Sequence, residues 1–248
     1  MAALAALLYV GLCVALFVFQ RSFLYYPQPR ARGDTSATLQ LSVADAELQI
    51  SVRPVDGPDA IIYFGGNGED VTYNMPSFSQ AFAGYSLYLM NYRGYGGSTG
   101  APSEAAIQQD ALALFDLVHA KHPNVVVMGR SLGSGVAVRL ASQRPATRLV
   151  LITPYSSIAE LGARQFPFVP VKWLLRDKYE SWRYASQIKV PTLLIAAEQD
   201  GVIPRSSTDD LYGRFSPGVA SLEVIAAVGH NSISQSPLYL KALQSGLR

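Results

Sequence analysis

A serine held between two glycines, Gly129-Arg130-Ser131-Leu132-Gly133, is the strongest chemical signal in this chain. G-x-S-x-G is common by chance, so its setting decides what it means. Residues 125–128 (VVVM) run into it as a buried strand, and residues 132–142 (LGSGVAVRLAS) leave it as a helix. In that setting the serine sits on a sharp, strained turn at the carboxyl end of a strand, with a helix N-terminus beneath it to favour a developing anion. Gly129 and Gly133 are the elbow residues, because a Cβ at either would crowd the turn.

A serine hydroxyl is a weak nucleophile until a base takes its proton. The chain has three histidines. His119 and His122 precede Pro123, toward the amino end of the sheet, and read as solvated surface residues whose i, i+3 spacing makes no metal site. His230, in a Val-Gly-His-Asn loop after the last strand, is left as the base. The imidazole needs an acid to hold its tautomer and stabilise its charged form. Asp200, in EQDGVIP after an apolar strand, is the candidate. Glu198 is its competitor, and Asp209 and Asp210 fall in the next helix, facing solvent. Two backbone N–H groups should then meet a tetrahedral oxyanion. Leu132 supplies one and Asn67 the other, from the loop Gly65-Gly66-Asn67-Gly68-Glu69, where Gly66 lets substrate approach closely. The loop lacks the dinucleotide and P-loop signatures. The chemistry implied is acyl transfer, with no metal ligands and no cofactor required.

Positioning these groups calls for a mainly parallel sheet. Apolar runs of strand length occur at residues 60–64, 86–91, 125–128, 149–152, 192–196 and 221–226. Most are continuous, as expected of strands buried on both faces. Helical patterns lie between them. In residues 104–121, Ile107, Ala111, Leu114, Phe115 and Val118 form one stripe behind a Ser103 cap, and residues 132–142 and 238–247 read as two more helices. The fold class is therefore α/β, a doubly wound sheet opened by an antiparallel hairpin over residues 41–55. Residues 158–185 break the rhythm with aromatics and prolines. They read as a small helical cap, with Phe166, Phe168 and Trp173 lining an acyl pocket.

Composition divides the chain. Of 248 residues 49% are hydrophobic and 15% charged, with net charge +2 and no basic run to neutralise nucleic-acid phosphates. Residues 1–20 hold one glycine, one glutamine and no charge, so all 20 basic and 18 acidic residues lie beyond them. A helix over residues 2–19 would be about 27 Å long, the thickness of a bilayer's hydrocarbon. No Lys or Arg precedes it and no small-x-small site follows, which argues against a cleaved signal. The expected organisation is a transmembrane anchor (1–20), a juxtamembrane linker (21–40) and a catalytic domain (41–248). Arg21, Arg30 and Arg32 all follow the helix and favour a cytoplasmic domain. The lone Cys13 lies in the anchor, so no intrachain disulfide forms.

The stretches YFGGNGED, NYRGYGGSTGAPSE, GRSLGSG, TPYSSI, VPTLLIAAEQDGVIP and GHN resemble the membrane-anchored α/β-hydrolase-domain proteins of types 12, 13 and 17 and their bacterial relatives, grouped with serine aminopeptidase-like hydrolases. The resemblance covers roughly residues 21–247. It implies a triad of Ser131, Asp200 and His230, whose chain order is the usual one for that fold, and an N-terminal anchor. Two positions depart from it: the family often has histidine at Gly65 and aspartate at Asn91, the latter bearing on what positions Arg93. The function expected is cleavage of esters or thioesters of acyl, lipid-like substrates drawn from the bilayer. A peptidase acting on peptide N-termini and a non-catalytic membrane-tethered binding module are the alternatives.

Overall fold

The computed structural model describes residues 1–30 and 37–247, so Arg32 lies outside the described residues. Strands β1 (Ala37–Val43), β2 (Ala46–Arg53), β3 (Asp59–Phe64), β4 (Ser86–Met90), β5 (Asn124–Arg130), β6 (Arg148–Ile152), β7 (Thr192–Ala197) and β8 (Ala220–Ile225) form one sheet. Its spatial order is β1-β2-β4-β3-β5-β6-β7-β8. β1 and β2 form the antiparallel hairpin, β2 meets β4 antiparallel, and the remaining pairs are parallel. This is the α/β-hydrolase fold.

The helices are α1 (Ala2–Leu24), α2 (Met75–Ala81), α3 (Glu104–His119), α4 (Leu132–Ala141), α5 (Ile158–Gln165), α6 (Val171–Leu174), α7 (Trp182–Ala185), α8 (Arg205–Tyr212) and α9 (Tyr239–Ser245). They explain the continuous apolar runs. In β3, Ala60, Ile62 and Phe64 enter a core shared with α3 and α4, while Ile61 and Tyr63 enter a second core with α2 and α9. Strands β3 to β7 thus bury both faces, and the carboxyl ends of β3, β5, β7 and β8 open onto one edge. The Ser103 hydroxyl caps α3 by accepting the Ala106 N–H at 3.2 Å.

Among the described residues α1 alone is long and apolar enough to cross a membrane, with mean hydropathy 2.6 and none of it buried. Two boundaries differ from expectation. α1 continues to Leu24 and β1 begins at Ala37, and the chain just after the expected anchor is tied to the domain. The cause is tertiary capture. Arg21 pairs with Asp177 at 2.9 Å. The buried Tyr25 hydroxyl donates to the same carboxylate at 3.2 Å, and the Gly96 N–H donates to the Gln28 carbonyl at 2.8 Å.

The histidines ahead of Pro123 also need correction. His122 is only 8% exposed. Its Nδ1 lies 2.9 Å from the Gly57 carbonyl and its Nε2 3.2 Å from the Tyr88 hydroxyl. His119 is half-buried, stacked on Phe115. Both therefore serve packing, at the amino end of the sheet, because α3 delivers them beneath the β3–β5 edge instead of into solvent.

Candidate active site

Ser131 sits between β5 and α4 with φ 47° and ψ −116°, a left-handed backbone that a side chain rarely adopts and that costs about 1–3 kcal/mol. The surroundings hold it there. Its N–H donates to the Ile152 carbonyl at 2.9 Å, and its carbonyl accepts the Ser134 N–H at 2.9 Å. A Cβ at Gly129 would strike the Gly133 carbonyl, and one at Gly133 would strike the Phe64 carbonyl. Only glycine lets β5, α4 and the end of β3 approach this closely.

The structure brings the three sequence-selected side chains into one hydrogen-bonded row. Ser131 Oγ lies 2.9 Å from His230 Nε2, and His230 Nδ1 lies 2.8 Å from Asp200 Oδ2. The second contact is shielded, the two side chains being 8% and 6% exposed. The other oxygen of Asp200 accepts the N–H groups of Val202 at 2.9 Å and Ile203 at 2.7 Å. Burial alone would raise the Asp200 pKa. The hydrogen bonds from His230, Ile203 and Val202 and the charge attraction of His230 outweigh it, holding this carboxylate below its ordinary range. Glu198 turns elsewhere and accepts the Ala227 N–H at 2.7 Å.

The loop after β3 reaches the serine from the opposite side. The Gly66 N–H is engaged, donating to Glu69 Oε2 at 2.7 Å, while the N–H groups of Asn67 and Leu132 have no protein acceptor among the described residues. The Asn67 side chain locks the loop to the end of α1. Its amide donates to the Leu24 carbonyl at 2.5 Å, and its oxygen accepts the Tyr26 N–H at 3.0 Å and the Tyr95 hydroxyl at 2.8 Å.

Two residues that sequence reasoning passed over organise the site. Glu69 accepts from the Tyr63 hydroxyl, the Asn74 amide and the Gly66 N–H, each at 2.7 Å, and from Arg130 at 3.3 Å. Arg130 also donates to the His230 carbonyl at 3.3 Å. This half-buried pair ties the β3 loop, the elbow and the histidine loop together. The signal was present: an arginine inside G-x-S-x-G next to the strand end must find a carboxylate, and Glu69 lies on the adjacent loop.

The two departures resolve locally. A Cβ at Gly65 would come within 2.6 Å of Val71 and 3.3 Å of Glu69, so Val71, with Glu69 beside it, fills the space a larger residue would take. Asn91 does not touch Arg93. Asp110 holds that guanidinium through two hydrogen bonds of 2.8 Å.

A cavity of about 860 Å³ lies over Ser131 and is mostly polar, with Gly66, Asn67, Glu69, Tyr73, Asn74, Arg130 and His230 in its wall. Phe166, Phe168 and Trp173 are not in it, which corrects their assignment to the substrate pocket. Phe166 faces an apolar trough of about 470 Å³ against α1, and Phe168 and Trp173 are exposed. The excursion leans on α1 because that helix offers the nearest apolar surface. Among the described residues no cluster of His, Cys, Asp or Glu could hold a metal ion.

Comparisons with known proteins agree with this architecture. The family described as serine aminopeptidase, S33, matches residues 61–183. An uncharacterized protein of Mycobacterium tuberculosis is 30% identical over 249 residues, covering 92% of this chain and 86% of its own length. The lysophosphatidylserine lipase ABHD12 of Xenopus tropicalis is 32% identical over 155 residues, covering 54% of this chain and 40% of its own length. Among solved structures, the Pyrococcus furiosus esterase Pf2001 superposes with TM-score 0.67 at 18% identity, over 90% of this chain and 98% of that one.

Proposed function

This chain belongs to the α/β-hydrolase family described as serine aminopeptidase, S33, and on that premise we propose that it is a membrane-anchored serine hydrolase cleaving carboxylic ester or thioester bonds of acyl substrates. The observation that carries the reading is the row Ser131 Oγ, His230 Nε2, His230 Nδ1, Asp200 Oδ2 at 2.9 and 2.8 Å. His230 takes the Ser131 proton as Oγ attacks the carbonyl carbon, and Asp200 stabilises the imidazolium that forms. The N–H groups of Leu132 and Asn67 receive the oxyanion. His230 then protonates the leaving alcohol or thiol, and the acyl-Ser131 ester is hydrolysed by water through the same steps in reverse roles. Residues of the cavity wall would bind the polar part of the substrate.

The similarity to a lysophosphatidylserine lipase supports an acyl or lipid-like substrate, and α1 supports anchoring in a bilayer. Arg21 in the last turn of α1 and Arg30 beyond it favour a cytoplasmic domain; protease protection in sealed vesicles tests this, and digestion of the domain from the outside of right-side-out vesicles overturns it. The peptidase alternative needs a carboxylate to hold a substrate amine, and both in the cavity wall are engaged: Glu69 accepts four hydrogen bonds, and Asp70 accepts from the Thr72 N–H and hydroxyl. Rapid mixing with a chromogenic acyl ester separates the readings. The esterase reading predicts turnover of the ester, and ester inertness together with turnover of aminoacyl amides contradicts it.

A further inference from the structure

The excursion between β6 and β7 carries three aromatic side chains with large exposed areas: Phe168 and Trp173 are nearly uncovered, and Phe166 is half covered beside α1. Phe166, Phe168 and Trp173 are 53%, 86% and 89% exposed. A contiguous apolar patch of this kind marks an interaction surface. Its position says what the surface meets. The Tyr9 hydroxyl donates to the Phe168 carbonyl at 2.8 Å, and Tyr9 lies about 18 Å along the helix from Arg21 at 1.5 Å per residue. Near the other end, Gln20 donates to the Leu174 carbonyl at 3.3 Å and accepts the Arg176 N–H at 2.6 Å. The excursion therefore runs alongside α1, and whatever surrounds α1 also surrounds Phe168.

Irregular chain survives at membrane depth only where its polar groups find partners. Most N–H groups of the excursion do: those of Phe166, Val169, Val171, Trp173, Leu174 and Leu175 are bonded within it, and those of Phe168 and Lys172 have no protein acceptor among the described residues. Lys172, the one charged residue of 166–175, lines a cleft with Glu160 and Asp210. Pro167 and Pro170 carry no N–H, and Tyr9 and Gln20 supply partners from α1 itself. Cations gather where the segment returns to the domain. Arg176 lies 4.2 Å over the Phe17 ring, and Arg21 pairs with Asp177, an arrangement that fits a headgroup layer.

We propose that residues 166–175 form a hairpin inserted beside α1 into the hydrocarbon of a lipid bilayer, so that the protein holds the membrane at two points. The proposal rests on reading α1 as the membrane anchor. It fixes the domain rigidly against the bilayer, with the Asn67 junction to Leu24 at the surface.

The test uses the full chain, in which Trp173 and Trp182 are the two tryptophans. Trp182→Phe leaves Trp173 as the sole reporter. The protein is reconstituted in phosphatidylcholine vesicles containing lipid brominated on the acyl chain. The expected result is loss of Trp173 emission to acyl bromine and none to aqueous iodide. Moving the reporter with Phe168→Trp, in a background carrying Trp173→Phe and Trp182→Phe, should give quenching that increases with bromine depth. Trp173 quenched by iodide and untouched by bromine overturns the proposal. Emission shielded from both, and dependent on protein-to-lipid ratio, overturns it in favour of a second copy covering the patch. Alkaline carbonate extraction of the same vesicles separates the failures. A chain that is released defeats anchor and hairpin together, whereas a retained chain with Trp173 in water defeats the hairpin alone.

Discussion

The elbow around Ser131 and the excursion carrying Trp173 differ in what holds them. At the elbow, β3, β5, β6 and α4 converge so closely that a Cβ at Gly129 or Gly133 would collide with backbone, and the serine keeps a strained conformation within a hydrogen-bonded frame. The excursion has three short helices, α5, α6 and α7, and an apolar trough shared with α1. One region is rigid because the sheet forces it to be. The other takes its place from whatever apolar surface lies beside it. Chemistry should therefore respond steeply to changes at the first and hardly at all to changes at the second.

The largest break expected in that contrast is His230→Ala, which removes the proposed base and should lower kcat by up to about 10⁶ while the far-ultraviolet spectrum stays native. Asp200→Asn keeps the shape and loses the charge, and is expected to lower kcat by about 10⁴. Asn67→Ala retains the backbone N–H but cuts three side-chain ties to Leu24, Tyr26 and Tyr95. Its kcat should fall by no more than about 10²–10³, the worth of one oxyanion donor, with KM little changed. A fall as steep as that of His230→Ala would mean the loop does more than position a donor.

A smaller effect concerns pH. The Asp200 pKa is lower in the folded protein than in the unfolded chain, so the unfolded state binds the proton more readily as pH falls. The stabilising contribution is then complete above the ordinary carboxylate value of about 3.9 and is lost below it, as pH passes down through the depressed folded value. Denaturation series of wild type and Asp200→Asn should accordingly keep a constant separation above about pH 5 and converge in acid. Separation that narrows between neutral pH and pH 5 contradicts this account. The smallest effect belongs to the excursion. Phe168→Ser and Trp173→Ser should leave kcat for a soluble ester in detergent at the wild-type value, and a marked loss would mean the segment reaches the site after all.

The same difference explains how much could be read beforehand. The elbow, the strands of the sheet and the approach of His230 and Asp200 rest on constraints that leave a mark in sequence: glycines where backbone meets backbone, apolar runs where a strand is covered twice, one suitable histidine among three. The aromatics of residues 158–185 leave no such mark. Phe166 and Trp173 have no period that says what they will meet, and the meeting of Phe166 with α1 is a tertiary fact between segments more than a hundred residues apart. His122 misled for a similar reason, since its place before Pro123 resembles a surface turn and its burial comes from Gly57 and Tyr88. Glu69 and Arg130 were legible in principle, because a half-buried arginine requires a partner.

The central claim is that Ser131 is the nucleophile of a working acyl-transfer site. Treatment of the full chain with a fluorophosphonate, followed by mass analysis of its peptides, tests it most directly. The account predicts one adduct, on Ser131, absent from Ser131→Ala and strongly slowed in His230→Ala. No adduct on the folded wild-type protein, or an adduct that persists in Ser131→Ala, would contradict it.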